Sequence, residues 1–302
     1  MTITTTEPDV TAPRPPAPLD FAWLEVTGFC NEECDHCYAD SGPQGTHGKM
    51  TADNWRSVLD QLAAMGTKNV QFIGGEPTLY PHLGDLIIYA RGRGLAVEVF
   101  SNMTYITPAL WDVFKSAGTS LATSYYSDQA DRHDAVTQHR GSHRKTRANV
   151  ARAIELGIPI RGGVVTTRPG QRAAEALQDL ISLGVEEVGG DRVRAFGRAS
   201  RGAAPKVADL CGHCAHEKCA ILPDGTVSPC VLGRFISVGN VLETPLAEIW
   251  ASDRLAEVLA EIARECDQAQ ACPPPQFLPM CGPCSPCVPS VGVCDPPGTE
   301  TA

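Results

Sequence analysis

Three absences frame this sequence. It has no run of about eighteen apolar residues, so no segment is suited to cross a membrane as a helix. Its N-terminus lacks a basic stretch followed by an apolar one, the pattern of a secretory signal, and a cytoplasmic location is expected. Basic residues are in the minority: 25 Lys and Arg stand against 35 Asp and Glu, for a net charge of −10. That balance leaves no basic footprint for nucleic acid.

A fourth absence is local. Cys30, Cys34 and Cys37 lie in Cys-Asn-Glu-Glu-Cys-Asp-His-Cys-Tyr, and no other cysteine appears before Cys211. A structural zinc site closes its shell with four ligands, commonly in two Cys-x2-Cys or Cys/His pairs. Three thiolates can instead hold an iron–sulfur cube and leave one iron open to an outside ligand. The spacing alone leaves a zinc knuckle and a chance grouping as alternatives.

What the chain does contain points to metal. It has 13 cysteines in 302 residues. Without an export signal, thiols on that scale predict metal ligation in a reducing compartment in preference to disulfides. They fall in two districts, three at 30–37 and ten from Cys211 onward, which predicts two modules. The expected organisation is a disordered Thr/Pro-rich tail at 1–18, a core domain at 19–205 and a cysteine-rich extension at 206–302.

From Phe21 to about Phe196, short apolar runs alternate with helical patterns. Strands are predicted at Ala22–Val26, Asn69–Ile73, Leu95–Phe100, Ser120–Tyr125, Ile158–Thr166 and Val193–Phe196. Apolar stripes at helical spacing run through Trp55, Val58, Leu59 and Leu62, with Thr51 as N-cap and Gly66 as stop, and through Leu83, Leu86, Ile87 and Ala90. Thr107-Pro108 opens a third helix, Asn149 to Leu156 makes a fourth, and Leu177, Leu180 and Ile181 mark a fifth. Repeated βα units predict an α/β fold with a parallel sheet, helices outside and right-handed crossovers. Six units are too few to close an eight-stranded barrel. Chemistry in such folds sits at the carboxyl ends of the strands, where the cysteine loop also falls.

Each predicted strand end carries candidate residues. The second ends in Gly74-Gly75-Glu76-Pro77: the glycines suit a close approach of backbone to ligand, and Glu76 offers a carboxylate to an ammonium group. The bland alternative is a Gly-Pro turn. The third ends in Ser101-Asn102, suited to ribose hydroxyls or a carboxylate, or to a simple Asx turn. The fourth ends in Thr123-Ser124-Tyr125-Tyr126, with Ser124 placed to touch a ligand and the tyrosines to face substrate or to pack. Gly162-Gly163-Val164-Val165 offers a close apolar surface, or a bulge. Arg198, after Gly197, suits a ligand carboxylate or a surface ion pair.

Together these residues resemble the radical S-adenosylmethionine (SAM) superfamily: the Cys-x3-Cys-x2-Cys loop with an aromatic-type residue, His36, before the third cysteine, then Gly-Gly-Glu at the end of strand two. The resemblance implies a partial (β/α)6 TIM-like barrel, open on one side. It implies that Cys30, Cys34 and Cys37 hold a [4Fe–4S] cluster that binds SAM, and that an electron splits SAM to a 5′-deoxyadenosyl radical. By the same resemblance His36, Tyr38, Gly74, Gly75, Glu76, Ser101, Asn102, Ser124, Val165 and Arg198 contact SAM, Val165 through the adenine.

After Val207 the pattern changes. Cys211, Cys214 and Cys219 lead into Pro223-Asp224-Gly225, a hairpin turn, and Cys230; Gly239-Asn240-Val241 follows. A helix capped by Thr244-Pro245 carries Leu246, Ile249 and Trp250; a second stripe runs through Leu255, Val258, Leu259 and Ile262. Last come Cys266, Cys272 and Cys281-x2-Cys284-x2-Cys287-x6-Cys294. The order resembles the SPASM extension (the twitch-like class of auxiliary domain), which implies one or two auxiliary [4Fe–4S] clusters. The final spacings of 2, 2 and 6 depart from the usual SPASM pattern. The expected allocation is Cys214, Cys219 and Cys230 to the first cluster, with a fourth ligand from the last group; Cys281, Cys284, Cys287 and Cys294 then serve mainly the second. Cys211, Cys266 and Cys272 are unassigned, and a zinc site in this tail stays open as an alternative.

The resemblance makes a ribosomally made peptide the first-choice substrate and a thioether or carbon–carbon crosslink, or epimerisation, the modification. Flavodoxin or ferredoxin is the implied reductant, and leader recognition is expected to fall to a separate protein. Alternatives are a formylglycine-type protein maturase, a small-molecule radical enzyme and a non-catalytic iron–sulfur electron carrier.

Overall fold

Six parallel strands lie side by side in chain order: β1 (Phe21–Glu25), β2 (Asn69–Ile73), β3 (Ala96–Phe100), β4 (Ser120–Tyr125), β5 (Ile160–Thr166) and β6 (Glu187–Arg192). The computed structural model describes residues 18–266. Every residue of β1 is buried, as expected of a strand covered on both faces. Its register against β2 sets Phe21 beside Asn69 and Glu25 beside Ile73. β6 pairs with β5 on one side and, among the described residues, with nothing on the other. The partial barrel is therefore open at that edge.

Helices connect the strands: α1 (Ala52–Ala64), α2 (Leu83–Gly92), α3 (Pro108–Ser116), α4 (Ala130–Thr137), α5 (Ser142–Glu155) and α6 (Ala173–Ser182). Thr51 caps α1 in a capping box with Asn54, and Gly66, at φ 80°, lies just beyond its end. Trp55, Val58, Leu59 and Leu62 are its buried face, as the periodicity predicts. Thr107 caps α3, with Pro108 at the first helical position. α5 begins well before the predicted Asn149. On α6 the buried pair is Ala176 and Leu180, whereas Ile181, expected on the apolar stripe, is 51% exposed.

The sixth strand is a correction. It runs over Glu187–Arg192, not Val193–Phe196, in parallel register with β5 from Arg161↔Glu187 to Thr166↔Arg192. Its charged ends and its central Gly189-Gly190 carry no apolar run, so it reads as a loop. An outermost strand needs less burial, which is how such a sequence holds a place in the sheet. Residues 193–196 instead lead into a short 3₁₀ turn, Gly197–Ser200. The Gly162-Gly163 pair makes no bulge: the β4–β5 pairing passes through it without a break.

The two expected modules share one sheet. β7 (Lys218–Ile221) pairs parallel to β1 on the edge away from β2, with Ala22 opposite Cys219. β8 (Thr226–Ser228) and β9 (Gly239–Asn240) continue it antiparallel, so nine strands run in the order β6-β5-β4-β3-β2-β1-β7-β8-β9. The Pro223-Asp224-Gly225 turn joins β7 to β8 as predicted, with Gly225 at φ 88°. α7 (Leu246–Trp250) and α8 (Asp253–Cys266) close the described part. Pro245, not Thr244, is the α7 N-cap, and its side chain makes no cap bond. The tail at 1–17 and Cys272, Cys281, Cys284, Cys287 and Cys294 lie outside the described residues.

Candidate active site

The cysteine loop leaves β1 at its carboxyl end and is fixed by backbone bonds on all sides. The Gly28 N–H donates to the Thr46 carbonyl at 2.8 Å and the Cys30 N–H to Gly42 at 3.1 Å. The Glu33 and Asp35 N–H groups donate to the carbonyls of Thr137 and Val136 at the end of α4. The loop after β2 presses on it from below: the Gly75 N–H donates to Thr27 at 2.7 Å and the Glu76 N–H to Phe29 at 2.8 Å. A Cβ on Gly75 would stand 2.3 Å from the Phe29 oxygen, and one on Gly74 2.6 Å from the Thr27 oxygen. The close approach that requires these glycines is thus between the two loops.

Arg198 is the second clamp. Its backbone N–H donates to the Cys37 carbonyl at 3.0 Å. Its guanidinium donates to the Cys34 carbonyl at 2.8 Å, the Ser41 carbonyl at 2.6 Å and the Asp40 carboxylate at 3.0 Å. Every guanidinium nitrogen is engaged by the cysteine loop itself, and the Asp40 contact is the surface ion pair that the sequence offered beside a ligand carboxylate.

Glu76 ties three elements together. It is fully buried. Its Oε1 accepts from the Thr78 N–H (3.0 Å), the Thr78 hydroxyl (2.7 Å) and the Ser101 hydroxyl (2.8 Å), and its Oε2 from the Asn102 N–H (2.7 Å). Burial holds its carboxyl above the ordinary range against these four bonds. Asn102 then reaches the cysteine loop, donating to Asn31 Oδ1 at 3.0 Å and lying 3.8 Å from Cys30 Sγ. The Gly-Gly-Glu turn, the Ser101-Asn102 strand end and the cysteines form one hydrogen-bonded unit. Oε2 accepts from a single donor.

Cys30, Cys34 and Cys37 face one cavity of about 130 Å³ at the carboxyl ends of the strands. His36, Tyr38, Gly74, Gly75, Asn102, Ser124, Val165 and Arg198 also line it, whereas Ser101 and Glu76 stand behind. A larger cavity, about 510 Å³, opens at the opposite ends of the strands among Phe21, Asn69, Ala96 and Ile160. No cysteine lines it, so chemistry and not size locates the site.

Residues to which sequence reasoning assigned no role also line the cavity, among them Glu32, His133, Asp191 and Leu232. Burial and the Glu76 charge push the Glu32 carboxyl up to about 8, and burial raises Asp191 to about 7. Burial and neighbouring His143 push His133 down to about 3. The two tyrosines part company. Tyr126 lines the cavity, its ring edge-on to His36 at 4.9 Å. Tyr125 points the other way, donating to Asp179 at 2.6 Å beside His143 at 2.7 Å.

The donor set suits an iron–sulfur cube. A cube takes one thiolate at each of three corner irons, so its ligands stand apart and do not converge on one point. Among the described residues no three His, Cys, Asp or Glu side chains converge to hold a single ion. Burial, then the Glu76 charge for Cys30 and the Glu32 charge for Cys34, push both thiols well above the usual range. Bare thiolates are disfavoured there, and a bound cationic centre reverses that preference. Glu32 Oε1 and Ser41 Oγ, beside the same cavity, are buried without a hydrogen-bond partner.

In the tail the structure regroups the cysteines. Cys214 Sγ lies 3.3 Å from Cys230 Sγ, and Cys211 joins them: a hydrogen bond from Cys214 lowers its thiol to about 5. Cys219, expected in this group, is fully buried on β7 opposite Ala22, and burial alone pushes it up to about 12. Cys211, unassigned from the sequence, stands beside Cys214. The Cys266 thiol donates to the Val207 carbonyl at 3.3 Å, tying the end of α8 to the segment before Cys211.

Comparison with known proteins agrees with this geometry. Residues 24–189 match the family description "Radical SAM superfamily", and residues 211–288 match "Iron-sulfur cluster-binding domain", the SPASM family. Among curated proteins the chain is 28% identical over 171 residues to an AdoMet-dependent heme synthase of Methanosarcina barkeri, covering 56% of this chain and 48% of that one. It is 27% identical over 192 residues to a PqqA peptide cyclase of Bradyrhizobium diazoefficiens, covering 62% and 50%. The chain thus spans about half the length of these relatives. Its fold resembles that of Streptococcus suis SuiB, crystallised with precursor peptide SuiA, at a TM-score of 0.67, 16% identity and coverage of 82% of this chain and 67% of that one.

Proposed function

The chain belongs to the radical SAM superfamily, and from that premise we propose that it is an enzyme that modifies a ribosomally made peptide, in the cavity above Cys30, Cys34 and Cys37. The observation that carries the reading is the single network joining the cysteine loop, Glu76 and Asn102 at the carboxyl ends of adjacent strands. Bound there, a [4Fe–4S] cluster supplies the electron that splits SAM to methionine and a 5′-deoxyadenosyl radical.

The chain's own residues hold and screen that chemistry. Cys30, Cys34 and Cys37 ligate. Glu76 Oε2 takes the methionyl ammonium of SAM, while its other oxygen keeps Ser101 in place. Asn102 meets the carboxylate or the ribose, and Val165 flanks the adenine. Tyr126 and Leu232 narrow the cavity and exclude water from a reactive carbon radical. Cys211, Cys214 and Cys230 hold one auxiliary cluster with a ligand from beyond Cys266. Oxidative crosslinking leaves one electron and one proton behind, so the auxiliary centre has a role as electron acceptor. A peptide substrate is supported by the peptide cyclases among the relatives and by the SuiB-like fold. The heme synthases at similar identity favour a second reading, oxidation of a small molecule.

The test is anaerobic incubation of reconstituted protein with SAM and dithionite, followed for 5′-deoxyadenosine and methionine. A short peptide encoded beside the gene is then added and weighed by mass spectrometry. Loss of two hydrogens marks a crosslink, and unchanged mass with deuterium uptake marks epimerisation. Absence of SAM cleavage refutes the radical reading, and SAM cleavage with an unaltered peptide moves the assignment to the small-molecule reading.

A further inference from the structure

Glu25 belongs to no motif, yet it is a carboxylate 1% exposed at the carboxyl end of β1, where the chain enters the cysteine loop. Its partner comes from the other end of the sequence. Arg234 donates to both Glu25 oxygens, from Nη1 at 2.8 Å and from Nη2 at 3.0 Å. A two-pronged pair of this kind fixes the position of a guanidinium as well as its charge, which a lysine cannot do.

The loop that carries Arg234 touches both cysteine sites. It starts at Cys230 in the tail group, and the Gly233 N–H donates to Cys230 Sγ at 3.2 Å. Leu232 lines the cavity that also holds Cys37 and Tyr38. Phe235 stacks on Phe196, centroids 6.1 Å apart, at the start of the turn that carries Arg198. Burial works against the Arg234 cation; Glu25 offsets it, and Tyr38 and Cys37 add smaller favourable contributions. The guanidinium stands at the carboxyl end of β1, two residues from Leu232 in the wall of the first cavity, on a loop rooted in the second site.

We propose that Arg234, fixed by Glu25, is a positioning residue that holds a positive charge at the wall of the cavity lined by Cys37 and favours the reduced form of the cluster on Cys30, Cys34 and Cys37. The inference rests on the family assignment but not on the identity of the substrate. Reduction adds one negative charge to the cluster. A cation held nearby in a poorly solvated region lowers the energy of that added charge and raises the reduction potential. Glu25 acts in the opposite sense, and its removal leaves the cation less compensated.

The experiment is a redox titration of the full chain, reconstituted anaerobically with iron and sulfide. The electron paramagnetic resonance signal that changes on adding SAM is followed, so that only the first cluster is read. R234M is expected to shift the reduced-to-oxidised ratio at fixed potential about tenfold toward oxidised, which is about 59 mV lower for a one-electron couple. E25Q is expected to move it the other way by a smaller factor, and R234K to stay within about threefold of the parent. Mere structural damage moves all variants in one direction, so opposite shifts support the proposal. Shifts of the same sign, or an R234M ratio within about threefold of the parent, overturn it. If R234M fails to retain iron, the E25Q shift toward the reduced form decides in favour and its absence decides against. Loss of every SAM-responsive signal in the parent protein sinks the functional reading instead, so the two failures are distinct.

Discussion

The cysteines at 30–37 and those at 211–230 are built on opposite plans. The first set is held from outside: Arg198 clamps the Cys34 and Ser41 carbonyls, α4 carbonyls take the loop's N–H groups, and the Gly75 turn supports it from below. Its thiols surround a cavity and leave it open. The second set clusters more tightly, with Cys214 and Cys230 sulfurs 3.3 Å apart, Cys211 hydrogen-bonded to Cys214 and the Gly233 N–H on Cys230 Sγ. A loop shaped by its surroundings keeps a vacancy for an outside ligand, whereas a knot of touching thiols suits a centre enclosed by protein.

The largest expected effect tests that contrast directly. Changing Cys30, Cys34 and Cys37 together to alanine should abolish SAM cleavage, a drop of at least about 1000-fold, while iron bound by the tail persists. C214A together with C230A should lower iron per chain yet leave SAM cleavage within about tenfold of the parent. Iron analysis and 5′-deoxyadenosine assay on both variants check this; equal loss of cleavage in both would end the distinction between the two sites.

The next effect concerns the support beneath the first loop. G75A places a methyl against the Phe29 carbonyl, which cannot yield without moving the loop, and should cost about 3 kcal/mol in urea unfolding. G163A is its control: the nearest atom to a Cβ there is the Thr123 oxygen at 3.8 Å, and the cost should stay under about 1 kcal/mol. Equal costs would mean that contact with the cysteine loop is not what makes Gly75 necessary.

A smaller effect sharpens the tail. C219A removes a buried sulfur from the sheet and should cost about 1 kcal/mol with unchanged iron content. C211A should do the reverse, lowering iron while leaving the unfolding midpoint of the metal-free chain nearly in place. The opposite pattern would restore Cys219 to the ligand set.

How much of this was legible in advance follows from where each signal lies. β2 and β4 were readable to the residue because mostly buried strands carry β-favouring residues between turn and helix signals. β6 was not, because an outermost strand built around Gly189-Gly190 is defined by its pairing with β5 and not by its own composition. The cysteine loop and Glu76 were legible as spacing. Arg198 was found, but its targets are mainly carbonyls, which no side-chain pattern reveals. Spacing placed Cys219 among the ligands; only the β7 register shows it turned into the core beside β1. The Glu25–Arg234 pair joins residues 209 positions apart, across a sheet whose continuation from β1 to β7 had no sequence signature.

A last effect tests the first region by pH. His133 lines the first cavity, buried and held neutral, with its imidazole pushed down to about 3 by burial and by His143. In the unfolded chain His133 takes its proton near pH 6.5. The unfolded state therefore binds more protons than the folded one between about pH 6.5 and 3, and stability rises with pH across that window. Below pH 6.5 the metal-free chain should lose about 1.4 kcal/mol per pH unit from this group alone. H133N removes the titration but keeps a polar side chain of similar size. Its urea midpoint should fall less steeply than the parent's between pH 6.5 and 5, even if it starts lower at pH 7. Parallel slopes in the two proteins would show that the acid sensitivity arises elsewhere, and that the cavity wall is not the titrating side of the molecule.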